Sequence, residues 1–470
     1  MHRFTKYEAL LAIIFLLTLP LSNPWVRGDG VGYYAFARSM LIEHRLDFTK
    51  DWLAANTSFR MGRTDAQGNI LPAEYTATGH LDNHFSVGPA ILWSPFLVVA
   101  HGGVLLWDRL GGKIPADGFS KPYRVAMAVG TALYGFLALM ISFVLARGYV
   151  PERWAFLATL GIWLASSLPV YMYFNPSWSH AHSAFTVALF LWYWIRTRAA
   201  RTWLQWIVLG AIGGLMMDVY YLSGVVLLLP LLESLACYWE GLQGTAREPI
   251  GRLFLKNMLF AATVFALFVP TLISKTLIYG SYLNLGYRER WLWRSPAFFK
   301  VGFSSDHGLF SWTPILILAL AGIFILRRRD RSLAWCLIGL FAGYLYAIGC
   351  YQDWDGLSSF GNRFFVSLTS VFVIGLAAFF DWLGRAWNEK RALIVSASAT
   401  VVLTLWNLGL IFQWGTHLIP ARGPISWRDA ARNQFAVVPA EVSQNLKNYL
   451  IHRSQMMDRI EQEDVRQLRH

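Results

Sequence analysis

The chain has 470 residues, of which 55% are hydrophobic, 16% aromatic and 15% charged. This composition is too apolar for an ordinary soluble protein and predicts a polytopic membrane protein. The formal net charge of +13 comes from short basic clusters between hydrophobic segments, not from one patch, so we expect no nucleic-acid partner. Such clusters, for example around Arg147, Arg198 and Arg329, mark the cytoplasmic side of a membrane protein.

The first hydrophobic segment is predicted to be a membrane anchor. Residues 9–26 carry no charge, and a spanning helix needs about 20 mostly apolar residues. The basic residues before it would also suit a secretory signal peptide. However, the sequence Leu21-Ser22-Asn23-Pro24-Trp25 is a poor match to a small-residue cleavage site. We therefore expect this segment to stay in the protein.

With the basic clusters placed in the cytoplasm, the hydrophobic segments predict an all-α protein with about 11 transmembrane helices. This odd number of crossings places the C-terminus outside. The predicted spans are 8–26, 122–146, 154–174, 181–195, 203–218, 219–236, 255–276, 309–326, 332–350, 364–384 and 392–413.

The external loop between the first two spans, residues 27–121, is predicted to begin with an interfacial helix over residues 33–48. Tyr33, Phe36 and Met40 cluster on one helical face, and Arg38 and Glu43 occupy the other face. This is the pattern of an amphipathic helix that lies on a membrane surface.

The apolar stretch 85–107 in the same loop fits the topology only if it does not cross the membrane. Asp29 before it and the linker 109–121 after it must both be external. Pro89, Pro95 and Gly102-Gly103 agree with a broken, re-entrant or interfacial helix. If the stretch crosses instead, the C-terminal tail moves inside or another span is lost.

Residues 1–415 are predicted to form one transmembrane domain, and residues 416–470 a polar external tail. In the tail, the spacing of Val442, Leu446, Leu450, Met457 and Ile460 predicts one amphipathic helix. The tail is too small for a convincing catalytic domain. The three cysteines show no C-x-x-C spacing and predict neither a disulfide framework nor a zinc site.

The polar residues that are hardest to explain as structure nearly all fall on the external side, which favours an enzyme with its site there. Asp29 lies between Gly28 and Gly30, directly after the first span. A carboxylate at a membrane face is costly and marks a functional site by default, and Asp29 is our candidate general base. Arg363 has the forked donors needed to stabilise charge on a departing phosphate.

Seven further residues are predicted to bind the phosphate or the sugar of a donor. His180 and His182 would diverge by about 200° on one helix, so both face a ligand only in an extended loop; His180 is the first choice. The bland alternatives are an interfacial role for the histidines beside Trp178, a helix cap for Asp218, and a snorkelling anchor for Arg363. The seven residues are His84, His180, His182, Asp218, Asp306, His307 and Asn362.

The chain resembles the GT-C superfamily of integral-membrane glycosyltransferases, which includes protein O-mannosyltransferases and aminoarabinose transferases. The shared features are an acidic residue just after the first span, interfacial helices in the first external loop, and many further spans. The family often has an acidic pair where Asp29 has glycine neighbours, and the Lys-Pro-Pro motif of aminoarabinose transferases is absent. The matching segments are 29–34, 84–89, 306–314 and 359–364.

The resemblance implies a polyprenyl-phosphate sugar as donor, inversion at the anomeric carbon, and Asp29 as the catalytic aspartate. The acceptor would be a lipid, a glycan or a protein, and the site would face the periplasm or exterior of a bacterial cytoplasmic membrane. No cofactor or metal is expected. A divalent cation held by some of the residues Asp29, Asp218, Asp306, Asp353 and Asp355 is the alternative. The rival function is a lipid-linked glycan flippase or transporter.

Overall fold

The computed structural model describes residues 5–198, 200–245, 248–287 and 290–468. Over these residues the protein is all-helical, with three isolated β-bridges and no longer strands. The first five α-helices in chain order are α1 (Lys6–Thr18), α2 (Asp29–Arg38), α3 (Thr49–Ala54), α4 (Thr57–Arg60) and α5 (Gly88–Arg109). The next six are α6 (Lys121–Arg147), α7 (Glu152–Leu164), α8 (His180–Thr197), α9 (Trp203–Val219), α10 (Leu228–Leu242) and α11 (Ile250–Tyr279).

The C-terminal half continues the bundle and ends in three tail helices. Short 3-10 segments, Tyr221–Leu227 and Arg363–Leu368, lead into α10 and into α16. The remaining helices of the bundle are α12 (Phe298–Phe303), α13 (Leu309–Trp312), α14 (Ile315–Leu326), α15 (Arg331–Cys350), α16 (Thr369–Ala386) and α17 (Glu389–Gly415). The tail helices are α18 (Trp427–Ala436), α19 (Val438–Ile451) and α20 (Arg453–Leu468).

The helices make this a multi-pass integral membrane protein. Among the described residues, seven helical stretches are long and apolar enough to cross a membrane, and α9 and α14 are shorter apolar helices. Helices overlie all the predicted spans, but several are too short to qualify, so the number of 11 crossings remains a prediction. The seven stretches are Gly88–Arg109, Lys121–Arg147, Tyr221–Leu242, Ile250–Tyr279, Arg331–Cys350, Arg363–Ala386 and Glu389–Gly415.

The stretch predicted as a broken helix is one continuous helix, α5, so that part of the prediction is wrong. It runs for 22 residues with Pro95 inside it. Both of its flanks nevertheless contact α2: the ring of Phe85 fills the space beside Gly32, and Tyr34 donates a hydrogen bond to the Gly118 carbonyl (2.7 Å). Helix α5 is also one of the seven stretches long and apolar enough to cross a membrane, so the expectation that it does not cross remains a prediction.

Three ion pairs tie the predicted cytoplasmic helix ends together. Each contains an arginine of a basic cluster, and the opposite ends of α8 and of the α16 stretch carry His180 and Arg363. The basic clusters and the predicted site residues therefore lie at opposite ends of these two helices. The pairs are Arg147–Glu8 (3.3 Å), Arg329–Asp381 (2.6 Å) and Arg198–Asp330.

Close packing of α14 against α16 fixes the position of the segment that carries Arg363. A Cβ atom at Gly322 would lie 1.8 Å from the carbonyl oxygen of Gly375, and one at Gly375 would lie 2.2 Å from that of Ala319. Small residues that let two backbones approach are the usual contact between membrane helices. Helix α16 is buried almost throughout, so the segment just before it is held firmly.

Helix α2 is buried and is not the surface helix that the sequence predicts. It begins at Asp29, and Arg38, expected on the polar face, is only 1% exposed. The Arg38 guanidinium donates to both carboxylate oxygens of Asp51 (2.6 and 2.5 Å) and to Glu43 (2.7 Å). Although burial opposes ionisation, the hydrogen bonds from Arg38 and Lys50 lower the pKa of Glu43 to about 2. The prediction of a helix here is confirmed, but the charged residues expected on its exposed face form a buried ion-pair network instead.

The tail forms three helices where the sequence predicts one. Its apolar pattern is divided between α19 and α20, which are separated at His452. The tail also folds back onto the start of the chain, since the Tyr449 hydroxyl donates to the Leu21 carbonyl (2.7 Å). It therefore lies on the same side of the membrane as α2, here called the α2 side.

We predict that Arg38→Met lowers the free energy of unfolding by about 3–5 kcal/mol, because it leaves Asp51 and Glu43 without their buried counter-ion. Denaturant titration in detergent micelles would measure this. Arg45→Met is the matched control, since Arg45 binds the same Glu43 from an exposed position (side chain 55% exposed) and should change stability by less than about 0.5 kcal/mol. Equal losses in the two variants would contradict the network.

Candidate active site

A large cavity opens on the α2 side between the bundle and the tail. Its volume is about 2000 Å³, larger than the roughly 300–1,000 Å³ of a typical small-molecule site. It is lined by the loop before α2, the turn between α7 and α8, residues 283–287, Trp291, Trp293, the segment 351–364, the end of α17 and the tail. Of the nine predicted site residues, four line the cavity: Asp29, His84, His180 and Arg363.

Asp29 is the first residue of α2, and its backbone is set by the glycine before it. Gly28 has φ 53° and ψ −133°, a conformation that side chains on L-residues disfavour strongly. A Cβ atom at Gly28 would lie 3.2 Å from the Trp178 ring, and the Trp178 indole N–H donates to the Arg27 carbonyl (3.0 Å). The glycine predicted to flank a functional aspartate therefore permits the turn that aims it into the cavity.

Arg363, from the segment that leads into α16, contacts Asp29 inside the cavity. Its Nη1 lies 2.5 Å from Oδ2 of Asp29, across 334 residues of sequence. The guanidinium stacks over the Trp178 ring, 4.5 Å from its centroid, and its Nε is buried without a hydrogen-bond partner. The side chains of Arg363 and Asp29 are 12% and 31% exposed, so the pair is partly screened from water.

Tyr33 completes the surroundings of Asp29 on the next turn of α2. The Ser179 hydroxyl donates to its phenol oxygen (2.9 Å). Burial, together with the charge of Asp29, raises the pKa of Tyr33 well above its usual value. The phenol therefore stays protonated beside the carboxylate.

His180 and His84 occupy different walls of the cavity. The His180 ring packs against Tyr171 (4.7 Å between centroids) and Tyr220 (5.4 Å), and its Nδ1 has no hydrogen-bond partner. The His84 ring lies 5.0 Å from that of Tyr287. His180 is thus placed near the Asp29 region with a free ring nitrogen.

Three other predicted residues lie outside the cavity. Because residues 180 and 182 share helix α8, His182 points away from His180 and packs between Trp93 (5.0 Å) and Tyr134 (5.4 Å). Asp218 is buried and accepts a hydrogen bond from Thr271 (2.6 Å). Asn362 donates to the Trp354 carbonyl (3.0 Å) and so holds the loop that leads to Arg363.

Asp306 and His307 also lie outside the cavity, behind the 353–363 loop, where they form a candidate cation site with Asp355. One ligand atom from each residue lies within 4.8 Å of the other two. Burial lowers the pKa of His307 to about 4, which keeps the ring neutral, as a metal ligand must be. Burial and the charge of Asp355 raise the pKa of Asp306. Of the aspartates proposed from sequence for a cation, these two are the pair brought together among the described residues.

Aromatic residues that the sequence analysis left without a role make up much of the cavity wall. The high aromatic content of membrane proteins hides such residues, although the pairs Tyr33-Tyr34 and Tyr220-Tyr221 at helix ends were a usable signal. The sequence also did not indicate that the tail lines the cavity, because the tail contains no cluster of residues typical of a catalytic or binding site. Its helices contribute Leu446, Tyr449, Met457, Ile460 and Asp464, and the aromatic wall includes Tyr33, Trp178, Tyr220, Tyr221, Tyr287, Trp291, Trp293 and Tyr351.

Comparison with known proteins gives structural neighbours. No family model and no curated protein matches the chain. The apo oligosaccharyltransferase of Archaeoglobus fulgidus is similar in structure, with a TM-score of 0.51 and 13% identity over 92% of this chain and 54% of that one. The oligosaccharyltransferase AglB of the same organism, in complex with an inhibitory peptide and a dolichol-phosphate, has a TM-score of 0.49 and 13% identity over 97% of this chain and 56% of that one. ArnT from Cupriavidus metallidurans, bound to undecaprenyl phosphate, has a TM-score of 0.48 and 14% identity over 86% of this chain and 70% of that one.

The chain therefore shares its fold with the apo oligosaccharyltransferase, in agreement with the family resemblance of the sequence. At 13% identity, the likeness to the oligosaccharyltransferase concerns the fold alone, and this chain spans about half the length of that protein.

We predict that Gly28→Ala destabilises the protein more than Gly62→Ala does. Both glycines have positive φ, but Gly62 has open space around it, while Gly28 faces Trp178. Each alanine should cost about 1–3 kcal/mol for its backbone, and the Gly28 variant should cost more because the Trp178 ring must also move. The difference between unfolding free energies in micelles measures this, and equal losses would contradict the described turn at Asp29.

Proposed function

We propose that this protein is an inverting glycosyltransferase that moves a sugar from a polyprenyl-phosphate donor to an acceptor hydroxyl or amine on the α2 side of the membrane. The observation that carries the proposal is the contact of Asp29 with Arg363 inside the cavity. A carboxylate and a guanidinium are the two groups that such a transfer needs, one for the acceptor proton and one for the phosphate. The GT-C fold supports the same class of reaction.

The proposed reaction is a single displacement. The Asp29 carboxylate takes the proton of the acceptor hydroxyl or amine as the acceptor atom forms a bond to the anomeric carbon. The bond between that carbon and the phosphate oxygen breaks, and its electron pair leaves with the phosphate. Attack from the face opposite the phosphate inverts the anomeric carbon.

Arg363 has two tasks in this scheme. It stabilises the negative charge that grows on the leaving phosphate, and a bound phosphate competes with Asp29 for its donors. The guanidinium of Arg363 forms charge-assisted hydrogen bonds to phosphate oxygens, and such bonds are strong, while the ring of His180 lines the same cavity. Binding of the donor therefore loosens the ion pair and frees Asp29 to act as a base.

The cavity also suits a donor with a long apolar chain. Its wall includes Leu222 and Val225, just before α10, and Ile348 at the end of α15, and both of these helical stretches are apolar enough to span a membrane. Phe364, next to Arg363, packs against Tyr351 (6.0 Å) on the same side of the cavity. A polyprenyl chain leaving the phosphate site can follow this apolar wall into the bilayer.

The proposed location is the bacterial cytoplasmic membrane, with the cavity facing the periplasm or exterior. The basic clusters lie at the helix ends opposite the cavity, and positive residues favour the cytoplasmic side. The acceptor stays open among lipid, glycan and protein.

We predict that Asp29→Asn lowers sugar release or transfer by about 10²–10⁴-fold, the usual contribution of a general base, while donor-lipid binding stays nearly unchanged. The measurement uses purified protein in lipid nanodiscs with a panel of polyprenyl-phosphate hexoses and pentoses. Asp108→Asn is the matched control, since Asp108 is an exposed carboxylate outside the cavity. Full turnover in the Asp29 variant would sink the proposed role.

The same panel separates the transferase from a transporter. A transferase cleaves the sugar from its carrier, whereas a flippase moves the intact lipid-linked glycan across the bilayer. Carrier-linked sugar that crosses vesicle membranes without ever being released would replace the proposed function by transport.

We predict that chelation with EDTA leaves turnover unchanged, because Arg363 supplies the positive charge that a metal would otherwise bring to the phosphate. Sugar release before and after chelation measures this. Loss of activity that Mg²⁺ or Mn²⁺ restores in the wild type, but not in Asp306→Asn, would instead place a required cation at Asp306, His307 and Asp355.

A further inference from the structure

One face of the C-terminal helix α20 runs along the beginning of the chain. Four of its residues, spaced four, four and three apart, fall on one side of the helix, and each contacts a residue between positions 20 and 58. The contacts are Arg453 to the carbonyls of Pro20 and Ser22 (both 2.6 Å), Met457 Sδ to Asn23 Nδ2 (3.1 Å), Glu461 to the Ser58 backbone N–H (2.5 Å), and Asp464 to Arg27.

Asp464 joins three separate parts of the protein. One carboxylate oxygen accepts a hydrogen bond from the Arg27 guanidinium, and the other lies 2.9 Å from His417 Nε2, just beyond the end of α17. The Asp464 side chain is only 13% exposed. A largely buried carboxylate with two specific partners holds its neighbours more firmly than an exposed ion pair does.

Arg27 transmits this contact to the catalytic aspartate, which lies two residues further on. Its side chain is fixed by Asp464 and by the Trp25 ring (4.4 Å), while its carbonyl accepts hydrogen bonds from the Trp178 indole and from the Gly30 backbone N–H (both 3.0 Å). Arg27 is therefore held at both its side chain and its backbone.

We propose that α20 positions the loop that leads into α2 and carries Asp29, and that Asp464 is the positioning residue that acts on Asp29 through Arg27. The proposal rests on the proposed function, because it assigns the tail a part in that same site. The chain from 27 to 29 turns through Gly28, which by itself gives little stiffness, so an outside contact has to fix the direction of Asp29. A shift of about 1 Å in a reacting group can lower a rate by about 10²-fold.

The test compares full-length wild type with Asp464→Asn, Asp464→Glu and Asp458→Asn in nanodiscs. Asp458 is exposed on the same helix and is the charge-matched control. Hydrogen–deuterium exchange of peptides covering residues 24–34 reports the order of the loop, and release of sugar from polyprenyl-phosphate donors gives kcat and KM. We expect faster exchange and a kcat at least about tenfold lower in Asp464→Asn, with the donor KM changed less than about twofold.

Asp464→Glu keeps the carboxylate and should retain most of both properties, and Asp458→Asn should match the wild type. Unchanged exchange in Asp464→Asn, or faster exchange with unchanged kcat, would overturn the positioning role. A fall in kcat with equal exchange in all four proteins would do the same. If the wild type releases sugar from none of the donors, the proposed function fails, and the exchange data alone then decide whether α20 orders the loop.

Discussion

The ion pair between Asp29 and Arg363 is the interaction on which the rest of the α2 side depends. The two residues lie 334 positions apart in the chain, and both are partly withdrawn from water. Such a pair is stable only if other groups hold it in good geometry. Trp178 supplies much of this support, because its ring lies under the guanidinium and its N–H fixes the backbone before Asp29.

The separation of charge across the membrane explains why this pair can serve chemistry. Basic residues near the other ends of the helices are already paired with acidic ones, as in Arg329–Asp381 and Arg198–Asp330. In both pairs the arginine binds its carboxylate directly, and neither pair lines the cavity that contains Asp29 and Arg363. On the α2 side, Arg363 keeps an unsatisfied donor beside a large cavity. An unsatisfied buried donor is costly, so each one needs an explanation.

The tail is part of the cavity and is not a separate polar extension of the helix bundle. Helices α19 and α20 form a wall of the cavity and contact the first external loop at several points. Their residues are ordinary for an amphipathic helix, and no single one of them suggests a site. The tail gains its importance from where it packs, which places Asp464 within reach of Arg27.

The sequence by itself determined the membrane class and the helical fold, and it singled out Asp29 and Arg363 as the candidate base and the candidate phosphate-binding residue. These features follow from local hydrophobicity and from the cost of placing a charge near lipid, which need no knowledge of distant contacts. Only the tertiary structure decided that these two residues meet, that His180 and not His182 lines the cavity, and that Arg38 is buried. Apolar helix faces specify that a helix is buried but not which helix it packs against, so contacts across hundreds of residues had to come from the folded chain.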